Sequence, residues 1–117
     1  MTYSRGDIVI VKFPFALRDG KEVQKGRPAL VVSDNMIERR YKDVILAAIT
    51  SQVPAEVMEL EMVLEPVKKS GLLKKSLLRL DFVMTLPEEL ISRKIGTLSE
   101  KRMKEVERKL KKLYGIK

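Results

Sequence analysis

The stretch Gly26-Arg27-Pro28-Ala29-Leu30-Val31-Val32-Ser33-Asp34 decides the fold. A short run of Val and Leu lies between turn-forming residues, and this pattern predicts a strand that is buried on both faces. Pro28 lacks a backbone N–H, so we expect it at the first residue of this strand or on a sheet edge. Arg27 then lies where a loop meets a buried strand, and its guanidinium must reach a cleft mouth or an ion pair. From this residue alone a structural ion pair is favoured over an anion-binding site.

The composition indicates one soluble globular domain spanning 1–117. The chain has 117 residues, of which 44% are hydrophobic and 34% charged, enough for a modest core and too apolar for a disordered chain. Lys and Arg outnumber Asp and Glu by 24 to 16, which gives a net charge of +8. Such an excess predicts a polyanionic partner, nucleic acid first and an acidic membrane surface second. A solubilising surface rich in Lys and Glu is the alternative explanation.

The sequence contains neither Cys nor His. This excludes disulfides, thiolate catalysis, Cys/His zinc sites and an imidazole general base. Any chemistry must use carboxylates, Arg, Lys, Ser, Thr or Tyr. Because no metal-ligand spacing and no phosphate-cradling glycine loop is present, we expect no metal and no cofactor. The first residues do not resemble a signal peptide and no segment is long and apolar enough to span a membrane, so we expect a cytoplasmic protein.

Further strands are predicted on both sides of the opening stretch. Dense or alternating apolar residues predict strands over 6–13, 43–50, 56–65, 76–85 and 93–98. Pro14 is expected to end the first of these, with a long charged hairpin loop over 16–26. A short helix is predicted around 86–91, and Ser99 caps an amphipathic helix of about 99–114. The fold class is therefore mostly β (α+β), a small antiparallel barrel with short helices and a C-terminal amphipathic helix.

Arg79 and Asp81 form the first candidate for chemistry. They are two residues apart on a predicted strand, so both side chains lie on one face, opposite Leu78, Leu80 and Phe82. A cross-strand ion pair on the solvent side is the alternative. The functional hypothesis joins the pair to Arg27 and Thr50, which also lie at strand ends, in a site that holds a phosphate.

Four motifs, in this order along most of the chain, resemble the PemK/MazF-like toxins of toxin–antitoxin systems. They are Gly6-Asp7-Ile8-Val9-Ile10-Val11 with Phe13-Pro14-Phe15, Gly26-Arg27-Pro28-Ala29-Leu30-Val31-Val32-Ser33, Ile49-Thr50-Ser51-Gln52, and a last group of Ser70-Gly71-Leu72, Ser76-Leu77-Leu78-Arg79-Leu80-Asp81, Thr85, Arg93 and Gly96-Thr97-Leu98. The resemblance implies an SH3-like barrel that forms a homodimer and a metal-independent, sequence-selective endoribonuclease. Such an enzyme cleaves single-stranded mRNA by attack of the ribose 2′-hydroxyl, which leaves a 2′,3′-cyclic phosphate and a 5′-hydroxyl. It also implies a cognate antitoxin whose acidic tail occupies the RNA groove.

The same resemblance assigns residues to roles. The catalytic residues are Arg27, Thr50, Arg79 and Asp81. The RNA-binding residues are Phe15, Arg18, Lys25, Ser51, Gln52 and Ser76. Fixed guanidiniums suit the extra negative charge of a pentacoordinate phosphorane, and Asp81 is a candidate acceptor for the 2′-hydroxyl proton.

One departure from the family leaves alternatives open. Some members use a histidine in the first loop, and this chain has none. A non-catalytic toxin of the same fold that binds DNA gyrase is one alternative. A silent barrel that binds RNA or a partner is the other.

Overall fold

The structure, a computed structural model, describes residues 3–16 and 22–117, and for 13–16 and 22–25 it describes the backbone alone. The described residues form strands, one 3₁₀ turn and one α-helix. In chain order these are β1 (Asp7–Ala16), β2 (Glu22–Val31), β3 (Asp43–Thr50), β4 (Glu61–Leu64), β5 (Ser76–Pro87), the 3₁₀ turn (Glu88–Leu90), β6 (Ile91–Thr97) and α1 (Glu100–Leu113).

The strands form one antiparallel sheet in the order β4-β5-β3-β2-β1-β6. The stretch that decides the fold lies near its centre, where β2 pairs with both β1 and β3. Ala29, Leu30 and Val31 are fully buried. Leu30 packs into one hydrophobic cluster, and Ala29 and Val31 into another, so the prediction of a strand buried on both faces is confirmed.

Each face of the sheet carries its own core. On one face Leu30, Leu78 and Leu80 pack with Met103 and Val106 of α1. On the other face a second group is covered by residues of the chain's first segment and of the β5–β6 region. This group comprises Val9, Val11, Ala29, Val31, Val44, Leu46 and Ile91, with Tyr3, Met84, Leu86 and Leu90 packed against it.

Two prolines lie inside strands, contrary to the sequence-based expectation. Pro14 does not end β1, which continues to Ala16 and pairs with β2 from Glu22, so the described residues of the predicted 16–26 loop, 16 and 22–26, are strand. β6 pairs with β1 only as far as Val11, so β1 has a single partner at Pro14. Pro28 is likewise not the first residue of β2, but β3 pairs with β2 only from Ala29 onward. Both prolines therefore occupy positions with one neighbouring strand, where the missing N–H costs little.

The strand predicted over 56–65 is reduced to β4. Met62 and Leu64 are buried, as the alternation predicts, but Met58 is 61% exposed and lies before the strand. The backbone N–H of Glu61 donates to the carbonyl of Met58 in a turn, so pairing with β5 begins only at Glu61.

The sheet does not close into the predicted barrel. β4 and β6 are its two outer strands, and they are not paired with each other. The 66–75 connection links them instead, because the backbone N–H of Thr97 donates to the carbonyl of Lys69 over 2.8 Å. On the outer edge of the β4 region, Arg102 donates to the carbonyl of Val63 and Lys109 donates to the carbonyl of Glu59. The helix, and not β6, covers this edge.

The C-terminal helix follows the prediction closely. The hydroxyl of Ser99 accepts a hydrogen bond from the backbone N–H of Arg102 over 3.2 Å, which caps the first turn. The helix ends where Gly115, at φ +69°, and Ile116 return hydrogen bonds to the last turn, as in a Schellman motif. Among the described residues no helix has the length and hydropathy needed to cross a membrane.

Candidate active site

A cleft of about 830 Å³ opens where β2, β3 and β5 lie side by side. Ala48 of β3 is in register with Ala29 of β2 and with Arg79 of β5. Side chains two apart on a strand share a face, so Arg27 on β2 and Thr50 on β3 lie on the same side as Arg79. All three line the cleft. The structure thus brings together three of the four residues that the sequence assigned to catalysis.

The rest of this cleft combines an apolar wall with polar groups. The apolar side chains include Val53, Pro54, Leu77, Phe82 and Met84. Gln52, predicted to bind RNA, also lines the cleft, and its backbone N–H donates to the hydroxyl oxygen of Thr50 over 3.2 Å. The cleft therefore offers an apolar surface next to two guanidiniums and a hydroxyl.

Arg79 and Asp81 form a two-pronged ion pair. Nε of Arg79 donates to Oδ1 of Asp81 over 3.3 Å, and Nη2 donates to Oδ2 over 3.1 Å. This hydrogen bonding raises the pKa of Arg79 above its ordinary value, and the nearby charge of Glu61, its neighbour across the strands, acts in the same direction. Both partners are about two-fifths exposed, at 39% and 41%. A pair this exposed contributes little to stability, so its main effect is to fix the orientation of the guanidinium.

Asp81 itself is not part of the cleft wall. It lies on the same face as Arg79, as the sequence predicted, but it is exposed and reaches the cleft only through its hydrogen bonds to Arg79.

A β-bulge places Phe82 on the opposite side from its predicted one. The register of β3 and β5 passes from Ala48 opposite Arg79 to Ala47 opposite Val83, so the three residues between them on β5 have no counterpart on β3. The bulge breaks the alternation that would have put Phe82 with Leu78 and Leu80 in the core. Phe82 instead lines the cleft, 47% exposed, and its ring centroid lies 5.3 Å from Cζ of Arg79. This distance is within the range of a cation–π contact.

A second cleft of about 570 Å³ adjoins the first at Arg27, which lines both. Ser51 and Ser76, both predicted to bind RNA, lie in this second cleft and not in the first. Lys74 and Arg93 line it as well. Arg27 thus stands between a cleft with apolar walls and a cleft with two further cations.

Three predicted RNA-binding side chains lie outside the described part of the protein. Arg18 falls in the undescribed 17–21 segment, and the side chains of Phe15 and Lys25 are not described. Their assignment remains a prediction.

Sequence reasoning missed several members of the two clefts. Phe82 was hidden by the bulge, and a bulge leaves no clear signal in the sequence. Glu61 was not singled out in the sequence, and the pairing of β4 with β5 places it beside Arg79. Lys74 was not singled out either, and it lines the second cleft. Within residues 3–16 and 22–117, no three acidic, His or Cys side chains are arranged to hold a metal ion.

Comparison with known proteins agrees with the motifs in the sequence. A relative from Mycolicibacterium smegmatis, described as a probable endoribonuclease MazF, is 29% identical over 112 residues, covering 96% of both chains. The structure of the Mycobacterium tuberculosis toxin MazF-mt6 matches 95% of this chain and 98% of that one at 22% identity, with a TM-score of 0.73. A MazE–MazF crystal structure from Deinococcus radiodurans matches 100% of this chain and 99% of that one at 21% identity, with a TM-score of 0.76.

The structural likenesses establish a shared fold, and the family comparison goes further. The family model described as the PemK-like, MazF-like toxin of type II toxin–antitoxin systems matches residues 4–114, nearly the whole chain. This chain therefore belongs to the PemK-like, MazF-like toxin family of type II toxin–antitoxin systems.

Proposed function

We propose that this protein is a sequence-selective endoribonuclease that cleaves single-stranded mRNA without a metal ion. The observation that carries the proposal is the convergence of Arg27, Thr50 and Arg79, from three different strands, on one cleft. Two guanidiniums and a hydroxyl on one wall suit a phosphodiester whose charge increases in the transition state. The name of the Mycolicibacterium smegmatis relative, a probable endoribonuclease, supports the same activity.

In the proposed reaction the ribose 2′-oxygen attacks the adjacent phosphorus. The 2′-O–P bond forms and the P–5′-O bond breaks, which yields a 2′,3′-cyclic phosphate and a 5′-hydroxyl. Arg27 and Arg79 stabilise the charge on the non-bridging oxygens, and Thr50 donates a hydrogen bond to one of them. The raised pKa of Arg79 keeps it cationic, so it acts as an electrostatic clamp and not as a proton donor.

Asp81 acts through Arg79 in this proposal. Its two oxygens hold the fork of Arg79 in one orientation. Because Asp81 does not line the cleft, the proton of the attacking 2′-hydroxyl passes to water. The departing 5′-oxygen takes a proton from water.

The two adjoining clefts also suit the proposed partners. Four cations, Arg27, Lys74, Arg79 and Arg93, line them, and this charge complements both an RNA backbone and the acidic tail of a cognate antitoxin. A relative has been crystallised as a MazE–MazF complex. We further propose a homodimer that works in the cytoplasm.

The test is to incubate purified protein with single-stranded RNA in EDTA and to determine the chemistry of the new ends. We expect cyclic phosphate and 5′-hydroxyl ends, and a loss of about 10²–10³-fold in kcat/KM for Arg27→Ala. Arg40→Ala is the matched control, because Arg40 is exposed on the 32–42 connection and lines neither cleft. This variant removes the same charge and should cleave at the wild-type rate.

Two results would contradict the proposal. RNA that stays intact at every protein concentration would favour a non-catalytic toxin that binds DNA gyrase or a silent binding domain. Cleavage that requires a divalent ion, or that leaves 5′-phosphate ends, would show a different chemistry.

A further inference from the structure

Phe82 lies in an unusual position for its residue type. A phenylalanine is normally buried in a core, where it contributes a large apolar area. Here a bulge turns the ring out of the core and leaves 47% of its surface exposed inside the first cleft. Bulges are enriched beside active sites because they re-aim a side chain.

The surroundings of the ring indicate what it contacts. Arg79 lies 5.3 Å from the ring centroid, while Pro54 and Met84 supply apolar surface in the same cleft. A ligand that fits must combine a flat apolar group with an adjacent negative charge. A nucleotide has this combination, because its base is flat and its phosphate is anionic.

We propose that Phe82 is a base-stacking residue, on which one nucleobase next to the scissile phosphate lies flat while Arg79 binds that phosphate. This inference rests on the proposed function and specifies how the same cleft holds its substrate. Single-stranded RNA is commonly bound by stacking of unpaired bases on aromatic side chains. The contact between Arg79 and Phe82 couples the stacked base to the guanidinium that faces the phosphate, so the same cleft holds a base and positions the reacting phosphate.

The experiment pairs protein variants with RNAs that lack one base. A short RNA with a single mapped cleavage site is prepared with an abasic ribonucleotide at each position flanking the cut, and kcat/KM is measured for wild type, Phe82→Ala, Phe82→Leu and Phe82→Tyr. We expect Phe82→Ala to cut intact RNA about 5- to 100-fold more slowly. At one flanking position, removal of the base should slow wild type by a similar factor and should not slow Phe82→Ala further.

The other variants separate stacking from bulk. Phe82→Tyr keeps an aromatic face and should retain wild-type behaviour, whereas Phe82→Leu keeps an apolar side chain and should behave like Phe82→Ala. Tyr41→Ala is the matched control, since Tyr41 is an exposed aromatic residue that lines neither cleft. Removal of the base should lower its kcat/KM by the same factor as it lowers that of wild type.

The outcomes distinguish this inference from the proposed function. Wild-type protein that cuts no RNA would refute the nuclease. Binding of a short single-stranded RNA by wild type and Phe82→Ala, with one base removed at each position in turn, would then test whether a base stacks on Phe82. Equal slowing by Phe82→Ala on intact and abasic RNA at every position would refute stacking and leave only an effect on Arg79. A change in oligomeric state with no change in base dependence would also overturn it, because the ring would then contact a second copy of the chain.

Discussion

Gly96→Ala provides a sharp test of how the fold supports the second cleft. A Cβ at Gly96 would lie 2.3 Å from the carbonyl carbon and oxygen of Ser70 and 2.4 Å from the carbonyl oxygen of Lys69. Heavy atoms normally stay about 3.5 Å or more apart, so the backbone of the 66–75 connection would have to retreat by about 1 Å. This movement would also stretch the hydrogen bond from the N–H of Thr97 to the carbonyl of Lys69.

The expected loss follows from these contacts. Forced overpacking costs about 1–3 kcal/mol and a lost backbone hydrogen bond about 1 kcal/mol, so unfolding should become easier by about 2–4 kcal/mol. Unfolding entropies of about 2.1 cal/mol/K per residue convert this loss into a Tm lower by about 8–16 °C for a chain of 117 residues. The assay is thermal unfolding followed by circular dichroism, with urea unfolding as a second measure of the free energy.

Gly115→Ala is the matched control. Gly115 has a positive φ, of +69°, which Gly96 does not, and a Cβ there would meet nothing within 4 Å. Only backbone strain remains, worth about 1 kcal/mol or a fall of about 4 °C. A Gly96→Ala protein whose Tm falls no further than that of Gly115→Ala would refute the reasoning, because the close backbone contact would then carry no energy.

The same substitution should affect RNA binding. The 66–75 connection carries Lys74, which lines the second cleft, and leads directly into Ser76, which lines it too. A retreat of this segment should weaken binding of an uncleavable RNA by Gly96→Ala well below the unfolding temperature, and Gly115→Ala should bind normally.

Four further outcomes are expected. Replacing Lys74 and Arg93 by Gln should make the negative slope of log binding constant against log salt shallower by about 0.7 for each lost phosphate contact. An unchanged slope would show that neither cation contacts an RNA phosphate. Arg79→Lys cannot keep the two hydrogen bonds to Asp81 or the contact of a planar guanidinium with the Phe82 ring, and it should lower kcat/KM on RNA by about 10²-fold. Lys109→Met, which leaves the carbonyl of Glu59 in the turn before β4 without its donor, should lower the urea-derived free energy of unfolding by about 1–3 kcal/mol. A hydrogen bond and the charge of the neighbouring Lys112 lower the pKa of Glu59 in the folded state. Their small stabilisation is therefore present above the unfolded pKa and fades as pH falls through the folded one, and a urea midpoint that responds to pH equally in wild type and Glu59→Gln would contradict this.

The central strands could be predicted from the sequence because burial on both faces leaves an unmistakable pattern. Ala29, Leu30 and Val31 form a continuous apolar run, and the structure buries all three. The C-terminal helix was equally predictable, since its cap, its apolar stripe and its terminating glycine agree with one another. Propensity, periodicity and capping each pointed to the same element.

The prolines and the edges of the sheet could not be predicted in the same way. Whether Pro14 ends a strand depends on whether a second strand lies beside it, and pairing partners are set by the whole topology. Likewise, alternation marked Met62 and Leu64 correctly but extended the strand back through Met58, where a turn precludes pairing. Closure of the barrel could not be predicted for the same reason. A closed barrel requires β4 and β6 to pair, and no local sequence pattern records the distance between these two strands.

The candidate site shows the same division. The two-residue repeat of a β-strand predicts that Arg79 and Asp81 lie on one face, and the hydrogen bonds between their side chains agree with this prediction. That Arg27 and Thr50 share a cleft with Arg79 depends on the order of three strands, which the family resemblance indicated and spacing alone did not. Phe82 escaped both kinds of reasoning, because a bulge reverses every side chain beyond it without changing the composition.

Because the sheet remains open, its outer strand β4 is a potential template on which the strands of neighbouring molecules can pair. Unpaired carbonyls on such a strand recruit the strands of other copies, which leads to aggregation. Arg102 occupies one of these carbonyls, at Val63, and Lys109 binds the carbonyl of Glu59 in the turn just before the strand, so both place positive charge along the same border. The helix is therefore a guard against polymerisation as well as part of the core. A chain shortened before residue 100 should accumulate as insoluble assemblies, and not merely as a less stable monomer.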